Sequence, residues 1–218
     1  MLRESAGNMY GFVTHTWNPI KGLCPHGCEY CYMHRFPQKP PRLDEKEMKT
    51  DLGEGNFIFV GSSIDMFAPD IPVEWIARAL DYIGLFPRNR YLFQTKNPQR
   101  MAGRSYPYNS IFCTTIETNR TYRQMGKTPS PWERAMRMAY FPKEATRMVT
   151  IEPIIDFDVH ELTNLMKMIE PVQVNIGADS KGHNLPEPPW YKVERLIERI
   201  SSFTRVYQKD NLKRLRHA

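Results

Sequence analysis

The stretch "KGLCPHGCEYCYMHR", residues 21–35, holds three of the four cysteines of this 218-residue chain, and the fourth, Cys113, lies far downstream. Three thiols spaced C-x3-C-x2-C admit three chemistries: a disulfide cluster, a zinc site or an iron–sulfur cluster. A disulfide scaffold uses more cysteines in a shorter, secreted chain. No N-terminal apolar run resembles a signal peptide and no apolar stretch reaches the roughly 20 residues of a membrane span, so a cytoplasmic chain without a membrane segment is expected. There, clustered cysteines bind metal or do chemistry. Zinc would take a fourth ligand, for which His34, His26 and His15 stand near. A multi-iron cluster held by only three thiolates would instead leave one iron open to a ligand.

The surrounding chain supplies the scaffold. Short β-branched or aromatic runs recur at 11–16, 56–63, 90–96, 110–118, 147–153, 172–179 and 204–210. They lack strict alternation, which suits strands covered on both faces. Helical periodicity fills 72–86, 131–141, 158–169 and 190–203 between them. Strand–helix alternation predicts right-handed βαβ units, in either a doubly wound sheet or an incomplete barrel. No linker divides the chain, so a single domain over 1–218 is expected.

Ligands of such folds sit at the carboxyl ends of the strands. Those ends are polar here: Ser62, Ser63 and Asp65; Gln94, Thr95 and Lys96; Thr115, Glu117 and Asn119; Glu152; Asn175 and Asp179; Gln208 and Lys209. The cysteine loop follows the first run, which puts its thiols at the same rim. Cys113, inside "SIFCTTI", reads as a buried inert thiol.

Cys24, Cys28, Tyr30 and Cys31 form C-x3-C-x-aromatic-C after the first strand of a β/α chain, and this resembles the signature of the radical S-adenosylmethionine enzymes. With "FIFVGSSIDMFAPDIPVEWI", "YLFQTKNPQRM", "IEPI" and "YQKDNL", the likeness extends over about residues 12–212. It resembles a phage- and prokaryote-associated radical S-adenosylmethionine family of unknown function, with a cysteine loop like that of spore photoproduct lyase.

The resemblance implies a partial (β/α)6 TIM-like barrel. It implies a [4Fe–4S] cluster on Cys24, Cys28 and Cys31, with S-adenosylmethionine on the open iron. By the same likeness Tyr30 packs near the adenine, Lys96 meets the methionine carboxylate, and Glu117 with Asn119 holds the ribose. The superfamily's usual Gly-Gly-Glu is replaced by Gly61, Ser62 and Ser63, so the hydroxyls and Asp65 would meet the amino group. Glu152, by its own place at a strand end before a proline, would bind cofactor or substrate or else make a structural hydrogen bond to the barrel. An electron donor such as flavodoxin or ferredoxin is implied as a partner.

Thirty Lys and Arg against 24 Asp and Glu give a net charge of +6. The basic and aromatic stretch 32–42 beside the cysteine loop and the basic tail 209–217 suit a nucleic acid substrate. The rival class is a zinc-binding, nucleic-acid-binding module without catalysis.

Overall fold

The computed structural model describes residues 2–5, 10–37 and 39–216. Gln38 and His217, which belong to the two basic stretches, lie outside the described residues. The strands are β1 (Arg3–Glu4), β2 (His15–Trp17), β3 (Ile20–Lys21), β4 (Arg42–Leu43), β5 (Phe57–Val60), β6 (Arg90–Thr95), β7 (Ser110–Thr115), β8 (Thr146–Ile151), β9 (Gln173–Ile176) and β10 (Arg205–Gln208). The helices are α1 (Val73–Gly84), α2 (Pro98–Met101), α3 (Pro131–Ala139), α4 (Val159–Ile169) and α5 (Trp190–Ser201). Each of the seven sequence runs contains, or overlaps, one strand of the main sheet.

The main sheet has the order β1-β2-β5-β6-β7-β8-β9-β10. From β2 to β10 every pairing is parallel; β1 adds an antiparallel edge. Strands therefore neighbour one another in sequence order. A doubly wound sheet reverses its order at a switch point, and this sheet does not, so the fold is the barrel alternative. Because β1 and β10 each have one neighbour in the sheet, the barrel is open. Its first crossover, from β2 to β5, carries the small β3–β4 hairpin and the cysteine loop in place of an α-helix.

Alternate residues of each strand face opposite sides. Ile58 and Val60 join Phe93, Val149, Ile151 and Ile176 in the large cluster that packs with the helices. Phe57 and Phe59 point the other way, into a second cluster with Tyr10, Leu92, Ile111, Cys113 and Met148. Both faces are thus apolar, which accounts for the continuous runs in the sequence. Cys113 is fully buried on β7, and burial pushes its thiol up to about 12, in keeping with an inert thiol at neutral pH.

Helix starts follow local chemistry. α3 opens with Ser130-Pro131: the Ser130 hydroxyl accepts from the Glu133 amide, and the Glu133 carboxylate accepts from the Ser130 amide. This capping box and the proline at the first turn fix where the helix begins. The start of α3 in turn sets the depth of Arg134, which matters below.

Candidate active site

A cavity of about 570 Å³ lies at the carboxyl ends of the parallel strands. Every one of those seven ends contributes to its wall: the cysteine loop after β2, Gly61–Asp65 after β5, Gln94–Lys96 at β6 and Thr115 at β7. Glu152 follows β8, Ala178–Lys181 with His183 follow β9, and Lys209 follows β10. Cys24, Cys28 and Cys31 all line it, and none of the four cysteines is in a disulfide.

The cysteine loop is held by its neighbours. Its Glu29 amide donates to the Gln124 carbonyl at 2.9 Å, and the Lys127 amide donates to the His26 carbonyl at 2.7 Å. The Cys28 thiol donates to the Met125 carbonyl at 3.2 Å. Gly126 lies flat on this contact: a Cβ there would fall 2.2 Å from the His26 carbonyl oxygen, and its φ of +66° already favours glycine.

Burial pushes the Cys24 thiol up to about 12, with the Asp65 charge adding to the rise, and burial also raises Cys28 against the opposing pull of Lys96. A nucleophilic cysteine is tuned the other way, toward the thiolate. Cys24 and Cys28 are therefore protonated thiols at neutral pH in this environment rather than free thiolate nucleophiles.

The loop after β5, joined to the cysteine loop by the Tyr32 hydroxyl donating to the Ser62 carbonyl at 2.8 Å, brings polar groups to the same cavity. Ser63 lines the cavity, and its hydroxyl is buried with no partner among the described residues. Its amide and the Ser62 hydroxyl both donate to Asn18 Oδ1, at 2.8 and 3.2 Å. Gly61, at φ +76°, lets the chain turn sharply here; a Cβ would stand 3.2 Å from the Ile64 carbonyl oxygen.

Lys96 lines the cavity with its ammonium 5.1 Å from the centre of the Tyr30 ring. Both side chains converge on Glu117: the Tyr30 hydroxyl and the Lys96 ammonium donate to Oε1. Arg134 donates to the other oxygen at 2.7 Å. Glu117 and Arg134 are both completely buried. Burial alone would raise the Glu117 carboxyl, but Arg134 and then Lys96 overcome it and hold the group far below the usual carboxylate range.

The structure therefore gathers Cys24, Cys28, Tyr30, Cys31, Gly61, Ser62, Ser63, Asp65, Lys96 and Glu152 around one cavity. Glu117 and Asn119 do not line it. Glu117 is turned to Tyr30, Lys96 and Arg134, while Asn119 exchanges hydrogen bonds with Asp158 at the start of α4. Glu152 accepts from Lys209 at 2.7 Å and Asn211 at 2.9 Å, on the side of the cavity formed by the last strands. Asn175 is buried within β9, and Gln208 meets Arg216 outside the cavity.

Arg134 is the group sequence reasoning missed. Pro131, Arg134, Ala135 and Met138 make the buried stripe of α3, and a cation on such a stripe signals a buried anion. Of the histidines offered for zinc, His26 and His34 line the cavity and His15 does not; among the described residues no three His, Cys, Asp or Glu side chains form a group that could hold a metal ion.

An open parallel β/α barrel with a cysteine-lined cavity at its strand ends is the class defined by this fold and site. Spore photoproduct lyase complexed with dinucleoside spore photoproduct has a similar fold, with TM-score 0.57 and 14% identity over 90% of this chain and 64% of that one. A double mutant of the lyase with bound AdoMet and dinucleoside spore photoproduct gives 0.56 at 13%, covering 90% and 64%. A cysteine-to-serine mutant gives 0.56 at 16%, covering 91% and 64%. At these identities the likeness is one of fold, and the chain spans about 64% of the length of these lyase chains. Residues 9–183 match the family described as "Protein of unknown function (DUF5131)", and the chain belongs to that family. No curated protein matches it.

Proposed function

We propose that this protein is a radical S-adenosylmethionine enzyme that acts on nucleic acid, with one catalytic domain over residues 1–218. The observation that carries the reading is the convergence of three unpaired thiols with the Ser63 hydroxyl and Lys96 in one cavity at the strand ends. When bound, a [4Fe–4S] cluster with S-adenosylmethionine supplies one-electron cleavage of the sulfonium to a deoxyadenosyl radical. Cys24, Cys28 and Cys31 would hold the cluster.

The chain's own residues would bind and orient. Ser62 and Ser63 would receive the amino group, and Gly61 would keep the backbone close. Lys96 would meet the carboxylate. Glu117 shares its single negative charge between Lys96 and Arg134, so the three groups together keep one positive charge beside the cavity. Tyr30 would present a ring face beside the adenine, with its hydroxyl tied to Glu117. Glu117 thus acts in this account as the buried support of two contact residues. Asp65 supports the loop, as argued below, and Glu152 borders the substrate half. A cytoplasmic setting with a flavodoxin- or ferredoxin-like electron donor would complete the reaction. No helix among the described residues is long and apolar enough to cross a membrane.

Nucleic acid is supported at the cavity mouth. Leu23, Tyr32, His34, Arg35 and Phe36 line it and are exposed, with Lys181 on the facing loop. Rings beside cations form a stacking and phosphate-binding surface for an unpaired base. The neighbouring fold was solved with a dinucleoside photoproduct, which agrees with such a surface.

Binding to single- and double-stranded DNA and RNA at physiological salt tests this part of the proposal, together with the effect of each on S-adenosylmethionine cleavage. One nucleic acid class should bind and stimulate cleavage. Dissociation constants no tighter than about 10⁻⁴ M for every one would contradict the substrate class and leave the radical chemistry standing.

A further inference from the structure

We propose that His26 and Asp65 form a clasp that fixes the cysteine loop in position for the iron–sulfur cluster, an inference that rests on the radical-enzyme reading. The His26 ring is buried to 1% exposure between two of the three cysteines, and its Nε2 lies 2.9 Å from Asp65 Oδ2. An ionised carboxylate only accepts, so Nε2 carries the hydrogen of this contact. This side-chain contact ties the cysteine loop, at a position between Cys24 and Cys28, to the loop that follows β5.

Asp65 extends the clasp to the neighbouring strand. Its carboxylate also accepts from the Thr95 hydroxyl at 2.9 Å, the Lys96 amide at 2.8 Å and the Phe67 amide at 2.9 Å. One buried carboxylate thus fixes the cysteine loop in register with Lys96. On its other side the His26 peptide is pinned by the Lys127 amide and by the close approach of Gly126. A phenyl ring at position 26 would fill the same buried space without a polar cost. The imidazole instead keeps Nδ1 buried without a partner among the described residues, in a wall shared with Cys24 and Cys28. A polar ring held this way is explained by positioning of the loop for a group that fills the cavity beside it.

His26 and Asp65 are positioning residues in this account, comparable to the outer partners that orient metal ligands. The test uses wild type, His26→Phe, His26→Gln and Asp65→Asn, each reconstituted anaerobically with iron and sulfide. Iron and sulfide per chain, the rate of iron loss to a chelator, and the electron paramagnetic resonance spectrum of the reduced cluster with and without S-adenosylmethionine are measured. Circular dichroism and thermal melts of the metal-free proteins check folding. Iron loss should be about ten- to a hundred-fold faster in His26→Phe and Asp65→Asn, with altered spectra. His26→Gln keeps an N–H for Asp65 and should fall between them and wild type, and it decides the matter if His26→Phe does not fold. Wild-type iron content, loss rate and spectrum in folded His26→Gln and Asp65→Asn would overturn the clasp while leaving the radical reading intact. A wild-type protein that retains no iron would overturn both.

Discussion

Alanine at Cys24, Cys28 or Cys31 should each remove the iron retained after anaerobic reconstitution, whereas Cys113→Ala should retain it in full. The expectation follows from placement. The first three thiols line the cavity at the strand ends, while Cys113 is sealed within β7 among Tyr10, Leu92 and Met148. Each of the three thiolates would supply one of only three protein ligands to the cluster, so removing one weakens its hold most directly. Cys113→Ala leaves a small void and should lower stability by about 1 kcal/mol, within the ordinary range for a core truncation. Iron and sulfide analysis with absorption spectra reads the outcome. If Cys113→Ala loses the cluster, or if any of the other three variants keeps it, the ligand set is wrong.

Arg134→Met should be the most destabilising single change outside the apolar core. It leaves Glu117 fully buried with Lys96 as its remaining cationic partner. Removing one member of a buried ion pair typically costs about 3–5 kcal/mol. For a chain of this size that lowers the melting temperature by on the order of 10 °C. Denaturant unfolding of wild type and variant at pH 7 measures it.

The same network makes a pH prediction. The Glu117 pKa is lowered on folding, so its contribution is fully present above the unfolded value of about 4.3 and is lost as pH falls below it. Wild type should therefore lose stability between pH 5 and pH 3 relative to Glu117→Gln, which has no carboxyl to titrate there. Parallel stability curves for the two proteins would show that Glu117 is not held ionised by Arg134 and Lys96.

Much of the scaffold was legible in the sequence, because strands covered on both faces appear as continuous apolar runs. Phe57–Val60 and Ser110–Thr115 are buried at every position, and the runs at 56–63 and 110–118 contain them. Helix α3 was legible at its start because Ser130, Pro131 and Glu133 are local signals. The two-residue strands β1, β3 and β4 are too short to carry a period, and the single turn of α2 is hidden behind Pro98. Neighbour order was also hidden: periodicity marks strands and says nothing of which ones pair, so barrel and doubly wound sheet stayed open until β2 was seen beside β5.

The site was legible to the extent that it is local. Three cysteines on one loop show themselves by spacing, and strand ends show themselves by polarity. Partnerships across the fold do not. Asp65 meets His26 from 39 residues away, and Glu117 meets Tyr30 from 87. Those contacts decide that Glu117 faces its protein partners rather than the cavity. Arg134 alone left a trace, as a cation on the buried stripe of α3.

The central claim is tested most directly by incubating reconstituted, chemically reduced wild-type protein with S-adenosylmethionine under anaerobic conditions and measuring 5′-deoxyadenosine. The account predicts four irons per chain and deoxyadenosine formation that vanishes in the Cys28→Ala variant. A protein that takes up no iron–sulfur cluster and binds a single zinc ion instead, with no deoxyadenosine formed, would contradict it.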